Sequence, residues 1–152
     1  MSITVQSSYL ATVPTGFPGM VYDGEVSNRI SRTVEDAAGI AFGTACFRGV
    51  GGHGCTATPT ANMFMGVGIA DAGQVPGLGE TADTIAQNRT IALLNEGVIF
   101  VNSSVAVNRG DPVYVTPAGV YTNVSTSNVA LPAHFDLTLS VAGLVPIRVI
   151  RQ

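Results

Sequence analysis

The sequence predicts an all-β protein, a single-domain β-barrel or β-sandwich with long loops and at most one or two short helical turns. About nine or ten short strand-like segments follow one another at regular spacing, with turn-forming residues between them. The length of 152 residues corresponds to one domain. A domain of this size buries about 70% of its unfolded surface, so its core can be stable without a disulfide or a structural metal ion. We therefore treat residues 1–152 as one unit.

Residues 91–121 form the predicted centre of the fold. Two apolar runs of strand length lie at 91–94 and 98–101, and Gly97 between them indicates a hairpin turn. The second run does not alternate with polar residues, which indicates a central strand covered on both faces. We expect the strands of this stretch to follow one another as a β-meander.

The N-terminal part of the chain predicts an arm, a turn and further short elements. In residues 1–13, where Ile3 alternates with Val5, the pattern favours an extended arm or an edge strand. Residues 16–20, with Phe17 between two glycines, predict a turn that separates segments rather than packing. The next elements are predicted as a helical turn at 33–38 with Thr33 as its N-cap, and strands at 40–47 and 63–70.

Turn and strand signals alternate in the C-terminal part. Pro117 and Gly119 predict a turn between strands at 113–116 and 120–122. Pro146 favours an edge position or the start of a strand, because proline cannot donate a ladder hydrogen bond. The remaining segments are predicted as exposed loops at 71–79 and 123–128, a loop or one loose helix at 80–89, and strands at 137–141 and 145–150.

Charge is scarce in this chain. The net charge is −3, and all seven basic residues are arginines. Nucleic-acid-binding proteins concentrate basic residues on one face, so we expect no direct nucleic-acid partner. Charged residues make up 11% of the chain, against about 25% in an ordinary soluble domain. Because small polar groups cost less to desolvate than charges, this composition favours large protein interfaces.

No segment predicts secretion or membrane insertion. The first ten residues lack a basic start and a continuous apolar segment, and no apolar run reaches the roughly 20 residues that span a bilayer. We therefore expect a soluble protein, made in the cytoplasm, with no membrane partner. In that compartment Cys46 and Cys55 are expected to remain free, as buried thiols.

Residues 49–54 match the G-x-G-x-x-G pattern of dinucleotide-binding loops, and Asp71 follows about 20 residues later. Pyrophosphate binding also needs the N-terminus of a helix. The residues after this loop are β-branched and interrupted by Pro59. We therefore interpret the segment as a flexible glycine loop without a nucleotide.

No group of side chains predicts catalysis, a cofactor site or a metal site. His53, His134, Cys46 and Cys55 lack the paired spacing of zinc ligands, and no base is identified beside a cysteine nucleophile. Residues 109–111 spell Arg-Gly-Asp, but the proline that follows predicts a turn rather than an adhesion motif. We expect no catalytic, cofactor-binding or metal-binding residues.

Five short blocks of glycine and apolar residues follow one another along the chain. They are Gly-Phe-Pro-Gly-Met at 16–20, Ile-Ala-Phe-Gly-Thr-Ala at 40–45, Met-Gly-Val-Gly-Ile-Ala at 65–70, Glu-Gly-Val-Ile-Phe-Val at 96–101 and Arg-Gly-Asp-Pro-Val-Tyr-Val at 109–115. In this order they resemble the tailed-phage structural cement, or capsid decoration, proteins. The resemblance implies a β-rich protein without enzymatic activity that sits as an oligomer, commonly a trimer, outside an expanded icosahedral head.

The resemblance also implies partners and a location. The partners would be the major capsid protein and further copies of this chain, and the location would be the outside of the virion. We look for contacts in the N-terminal arm and among the arginines, because arginine is enriched at interfaces. The candidate contact residues are Ile3, Val5, Tyr9, Arg29, Arg32 and Arg48.

Two other functions remain as alternatives. A host-recognition or head-fibre protein of a phage would also be β-rich and oligomeric, and would project a surface such as the 123–128 loop. A small thiol hydrolase would use Cys46, Cys55 or His53. Rapid alkylation at neutral pH would indicate the lowered thiol pKa that such an enzyme needs.

Overall fold

The computed structural model describes residues 16–71, 73 and 81–151, and within them the regular elements are all β-strands. The all-β prediction is therefore confirmed. The predicted arm at 1–13 and most of the predicted loop at 71–79 lie outside the described residues. In the described ranges, no helix has the length and apolarity that a membrane crossing requires. The strands of this part of the chain are β1 (Asn28–Val34), β2 (Ile40–Ala41), β3 (Ala45–Arg48), β4 (Gly54–Thr56), β5 (Phe64–Gly68), β6 (Thr84–Ile85), β7 (Thr90–Ser103), β8 (Pro112–Val115), β9 (Tyr121–Thr122), β10 (Val129–Phe135) and β11 (Gly143–Val149).

The strands pair into two closed rings that share β7. The N-terminal ring runs from β7 through β1, β4, β3 and β5 and returns to β7. The C-terminal ring runs from β7 through β11, β10, β8 and β9 and returns to β7. β2 and β6 form a separate pair. Closure gives each strand of a ring a neighbour on both sides, so the barrel form of the predicted fold class is the one observed.

The shared strand β7 runs for 14 residues through the position of the predicted hairpin, so that prediction is wrong. Its first half pairs with β1 and β5, and its second half pairs with β11. Gly97 (φ +129°) and a shift of register opposite Asn28 and Arg29 mark a bulge, which bends the strand without reversing it. Because β11 and β10 lie between β7 and β8, the predicted β-meander is also wrong.

Two predictions about the centre of the chain are confirmed. Residues 98–101 of β7 are all buried, as expected of a central strand. β8 and β9 pair antiparallel through the predicted turn, in which the Gly119 N–H donates to the Thr116 carbonyl at 2.8 Å. Gly119 has φ +80°, a conformation that glycine adopts without strain.

The predicted helical turn at 33–38 is wrong. Thr33 and Val34 are the last residues of β1, where they pair with β4. The chain then reverses in a tight turn, closed by a 2.9 Å hydrogen bond from the Gly39 N–H to the Asp36 carbonyl. The capping pattern therefore marked a turn after a strand, and pairing with β4 overrode the local helical preference.

Two neighbouring predictions need correction. The strand predicted at 40–47 is divided into β2 and β3, because the chain turns at Gly43 (φ +76°). The segment predicted as a loop or loose helix at 80–89 contributes β6 instead. Its residues Thr84 and Ile85 pair with Ala41 and Ile40. The strand predicted at 63–70 is confirmed in its central part as β5.

The strand predicted at 137–141 is a loop, so this prediction is wrong. Leu139 makes one isolated bridge, to Val107. Leu137 and Val141 are 42% and 69% exposed, so the apolar alternation does not match a core face. The loop predicted at 123–128 is confirmed, with most of its residues exposed.

Pro146 lies in the middle of β11, which pairs with β7 and with β10, so the predicted edge or start position is wrong. The opposite residue, Phe100, exchanges its backbone hydrogen bonds with Gly19 and Met20 instead. Because the backbone groups of Phe100 are already bonded, the position of Pro146 opposite it needs no backbone N–H donor. On its other side, the pairs between β10 and β11 involve Ile147, Arg148 and Val149, which follow Pro146 in the sequence, and do not include Pro146. This placement explains how a central strand accommodates a proline.

Two clusters of buried apolar side chains hold the rings together. The smaller cluster joins the N-terminal ring to the β2–β6 pair, and the larger one joins the C-terminal ring to residues of β3, β5 and β7. Full burial of one large apolar side chain contributes about 1.5–3 kcal/mol, so these clusters dominate the stability. The largest fully buried side chains include Phe47, Phe135, Ile40, Ile85, Ile91, Leu93, Leu94, Ile99 and Ile147.

Candidate functional site

Residues 16–22 lie along β7 between the two rings. The Gly19 N–H donates to the Phe100 carbonyl at 2.8 Å, and the Gly19 carbonyl accepts from Ala70 at 2.9 Å. Val21 adds an antiparallel bridge to Ile99. The prediction that this segment separates without packing is wrong, because Gly19 is the point where backbones of both rings meet.

Beside this junction lies a cleft of about 470 Å³ between the two rings. Phe17 and Val120 line its walls, and their side chains are 53% and 40% exposed. The Tyr121 hydroxyl donates to the Gly43 carbonyl at 2.8 Å and ties the two walls together. The cleft is lined by Phe17, Pro18, Ala41, Phe42, Gly43, Thr44, Asp83, Asn102, Gly119, Val120 and Tyr121.

A carboxylate and an amide are among the polar groups that border this largely apolar cleft. Asp83 and Asn102 are both exposed, and within the described part of the chain neither side chain forms a hydrogen bond or an ion pair. Asp83 has φ +67°, a left-handed conformation that aspartate tolerates better than most residues. The backbone is held there by a hydrogen bond from the Phe42 N–H to the Asp83 carbonyl at 2.9 Å. The Asp83 backbone is thus held at the rim of the cleft, and its carboxylate is exposed there.

The glycine loop at 49–54 holds a carboxylate of the chain itself. The Val50 and Gly51 N–H groups donate to the two oxygens of Glu35, at 2.8 Å and 2.7 Å. A Cβ at Gly49 or Gly54 would overlap this carboxylate. The loop therefore has glycines because an internal anion occupies it, and the strand β4 rather than a helix follows it. It presents Val50 fully exposed.

The candidate contact residues are placed apart. Ile3, Val5 and Tyr9 lie outside the described residues. Arg29 and Arg32 are three residues apart on β1, so they point to opposite faces of the strand. Arg48 is exposed at the end of β3. The structure thus separates Arg29 from Arg32.

The corner at 109–111 is the predicted turn. The Asp111 N–H donates to the Asn108 carbonyl at 3.0 Å, and the Asp111 carboxylate accepts from the Asn108 N–H and the Asn123 amide. These two hydrogen bonds, that of Asn108 first, lower the pKa of Asp111 below its ordinary value. The carboxylate therefore stabilises the corner, which fits a structural role for this tripeptide.

An ion pair between Arg148 of β11 and Glu25 connects β11 to the segment that precedes β1. The Arg148 guanidinium contacts both carboxylate oxygens of Glu25 and lies 3.5 Å from the Asp136 carboxylate. The hydrogen bond from Arg148 lowers the pKa of Glu25. Such an exposed pair positions the chain more than it stabilises it.

Cys46 and Cys55 are free and buried, as predicted. Both belong to the smaller apolar cluster. A hydrogen bond with Cys55, together with burial, raises the pKa of the Cys46 thiol well above its ordinary value. The same hydrogen bond lowers the pKa of the Cys55 thiol, against the opposing effects of burial and of the Asp36 and Glu35 carboxylates. Both thiols are fully buried, whereas a reactive cysteine is partly exposed in electropositive surroundings.

The buried thiols predict slow chemical modification. We expect iodoacetamide at neutral pH to label the native protein at least about 100-fold more slowly than the same protein in guanidinium chloride, since opening must come first. The measurement is labelled mass against time. Rapid labelling of the native protein would contradict the burial and would support the thiol hydrolase.

Within the described residues, no three His, Cys, Asp or Glu side chains come together in a way that would hold a metal ion. His53 lies exposed in the glycine loop, and His134 is half-buried in β10. The cleft could not be predicted from the sequence, because its rim residues Phe17, Asp83 and Val120 come from three distant segments. An exposed aromatic side chain within a glycine- and proline-rich turn was the one available signal.

Comparisons with known proteins agree with this architecture. Residues 5–150 match the model of a family described as structural cement protein (E217 gp24/Pam3 gp6). A chain in the solved structure "The capsid of Myoviridae Phage XM1" has the same fold, with a TM-score of 0.68 and 18% identity over 96% of this chain and 97% of that chain. Among curated proteins, no sequence matches this one. Because the family match spans nearly the whole sequence, the chain belongs to the structural cement protein family and is a structural protein of the phage virion.

Proposed function

We propose that this protein binds the outer surface of an expanded phage capsid and stabilises the shell by bridging coat subunits, without catalysis. The family match over residues 5–150 carries this proposal, and the fold shared with a chain of a phage capsid structure supports it. The proposed partners are the major capsid protein and further copies of this chain. The protein would be made in the host cytoplasm and would end on the virion exterior.

The surface has the chemistry that such a role needs. Charged residues are few, so contact with a coat protein leaves few ions to desolvate. Several large apolar side chains are exposed at separate places on the described surface, as expected of a protein that contacts more than one neighbour. They include Phe17, Tyr22, Val26, Val50, Met63, Val120, Val124, Leu137, Val141 and Ile150.

Bridging would stabilise the shell by linkage. DNA packed in a head pushes outward, and a subunit that touches two coat proteins must lose one contact before they separate. A ligand that binds only the closed shell stabilises it by RT ln(1 + [L]/Kd), about 2.7 kcal/mol at a concentration 100 times Kd. Preference for expanded heads would follow if the coat surfaces reach the required spacing only after expansion.

We further propose that the protein acts as a homotrimer. Three copies that bind as one unit share a single association cost, so modest affinity per copy gives long residence through effective concentration. The proposed contacts are the N-terminal residues Ile3, Val5 and Tyr9 with Arg29, Arg32 and Arg48, of which Arg29 and Arg48 are exposed. Light scattering of the purified protein is expected to give three times the mass of one chain. A mass equal to one chain would contradict the trimer.

Electron cryomicroscopy of the virion tests the proposed location. We expect density of this fold repeated evenly over the outside of the head, at positions between coat subunits. Density confined to the tail or to sparse fibres would contradict the proposal and would favour the host-recognition alternative.

A further inference from the structure

We propose that the cleft between the two rings docks a coat-protein segment carrying an arginine or lysine beside an apolar side chain. The inference rests on the proposed function and names the surface and the partner chemistry it would use. It is drawn from the cleft walls, from a carboxylate at the rim that no described side chain pairs, and from the hydrogen bonds of the junction beside the cleft.

The walls supply the apolar part of the site. Phe17, Phe42 and Val120 line a space of about 470 Å³, within the range of sites that enclose a bound group. Phe17 and Val120 keep about half of their surface in contact with water, 53% and 40%. A partner side chain that entered here would remove this apolar surface from solvent, which favours binding.

The rim supplies the charge. Asp83 places an exposed carboxylate, without a partner among the described residues, beside the apolar walls, on a backbone of positive φ that the rest of the fold maintains. Arginine and lysine have an apolar stem and a cationic end, so one such side chain contacts the wall and the carboxylate together. Asn102 adds an amide that both donates and accepts, and therefore suits the backbone of an extended segment.

The site is also preorganised. The Gly19 hydrogen bonds and the Tyr121 hydroxyl hold the walls in place. Binding of a segment therefore costs little conformational entropy in the cleft. The chain's own residues 1–15 carry no charged side chain and do not match the carboxylate. A second copy would have to present one of its arginines, and the experiment distinguishes that occupant.

The test measures binding of purified protein to undecorated expanded shells. D83N removes the charge and keeps a residue that tolerates positive φ, so we expect affinity to fall about fivefold at low salt and less at high salt. V120D places a charge on the apolar wall, and a loss of at least about tenfold is expected. Matched controls outside the cleft are D71N, at an exposed carboxylate, and A61D, at an exposed alanine.

The possible outcomes distinguish a failure of the proposed function from a failure of the proposed docking site. Failure of the unchanged protein to bind shells would overturn the proposed function itself. Binding by D83N and V120D as tight as that of the unchanged protein, or equal losses in D71N and A61D, would overturn the docking site alone. If V120D does not fold, as judged by thermal melting, D83N decides. A change in mass by light scattering without a change in shell binding would assign the cleft to a second copy and overturn the coat-segment proposal.

Discussion

Substitution of Gly19 by alanine is expected to unfold the protein or to lower its free energy of unfolding by about 4 kcal/mol or more. The added Cβ would lie 2.9 Å from Ala70 N, from Gly43 N and from Gly68 O, all of which are backbone atoms. Gly19 also has φ +83°, where a side chain is strained. Since no flexible side chain can move aside, the two rings must separate locally. Guanidinium unfolding followed by circular dichroism gives the loss.

Gly24 is the matched control for this prediction. It lies in an exposed bend two residues after the 16–22 segment, and a Cβ there would meet no atom within 4 Å. We expect G24A to change the free energy of unfolding by less than about 0.5 kcal/mol. Equal stability of G19A and G24A would show that the segment at 16–22 does not join the rings as described.

Substitution of Gly54 by alanine is expected to cost about 3 kcal/mol, the second largest effect. The new methyl group would overlap the Glu35 carboxylate and displace it from the glycine loop. The Val50 and Gly51 N–H groups would lose their charged acceptor, and hydrogen bonds to charged groups contribute about 1.5–3 kcal/mol. Guanidinium unfolding measures the loss.

Two further variants test whether Glu35 is the cause. Gly52 lies in the same loop with nothing within 4 Å of its Cβ position, so G52A is expected to be nearly neutral. In a background of E35A, the carboxylate is gone, and G54A is expected to cost much less than in the unchanged protein. Full additivity of E35A and G54A would contradict the direct contact between the loop and the carboxylate.

Much of the fold could be predicted from local pattern. Residues 98–101 indicate a buried strand because they are apolar without alternation, and the turn at 117–119 follows from proline and glycine chemistry. The hairpin at Gly97 could not be distinguished from a bulge, because both use the freedom of glycine at positive φ. Which one forms depends on β1 and β5, which hold the first half of β7 in register from distant parts of the chain.

The candidate site was less predictable for a related reason. Phe17, Asp83 and Val120 become neighbours only when both rings have closed, and no local period marks them. Glu35 fits the glycine loop across a gap of about 15 residues, although a glycine-rich loop after a strand suggests a bound phosphate. At 137–141, apolar and polar residues alternate as they do in a half-buried strand. The segment is instead the connection between β10 and β11, in which Leu137 and Val141 are exposed to solvent.

The most direct test of the central claim is cosedimentation of the purified protein with undecorated expanded phage shells. We predict saturable binding and a higher temperature of shell opening in its presence, because bound subunits must be lost before coat proteins separate. A protein that stays in the supernatant, with the opening temperature unchanged, would contradict the account.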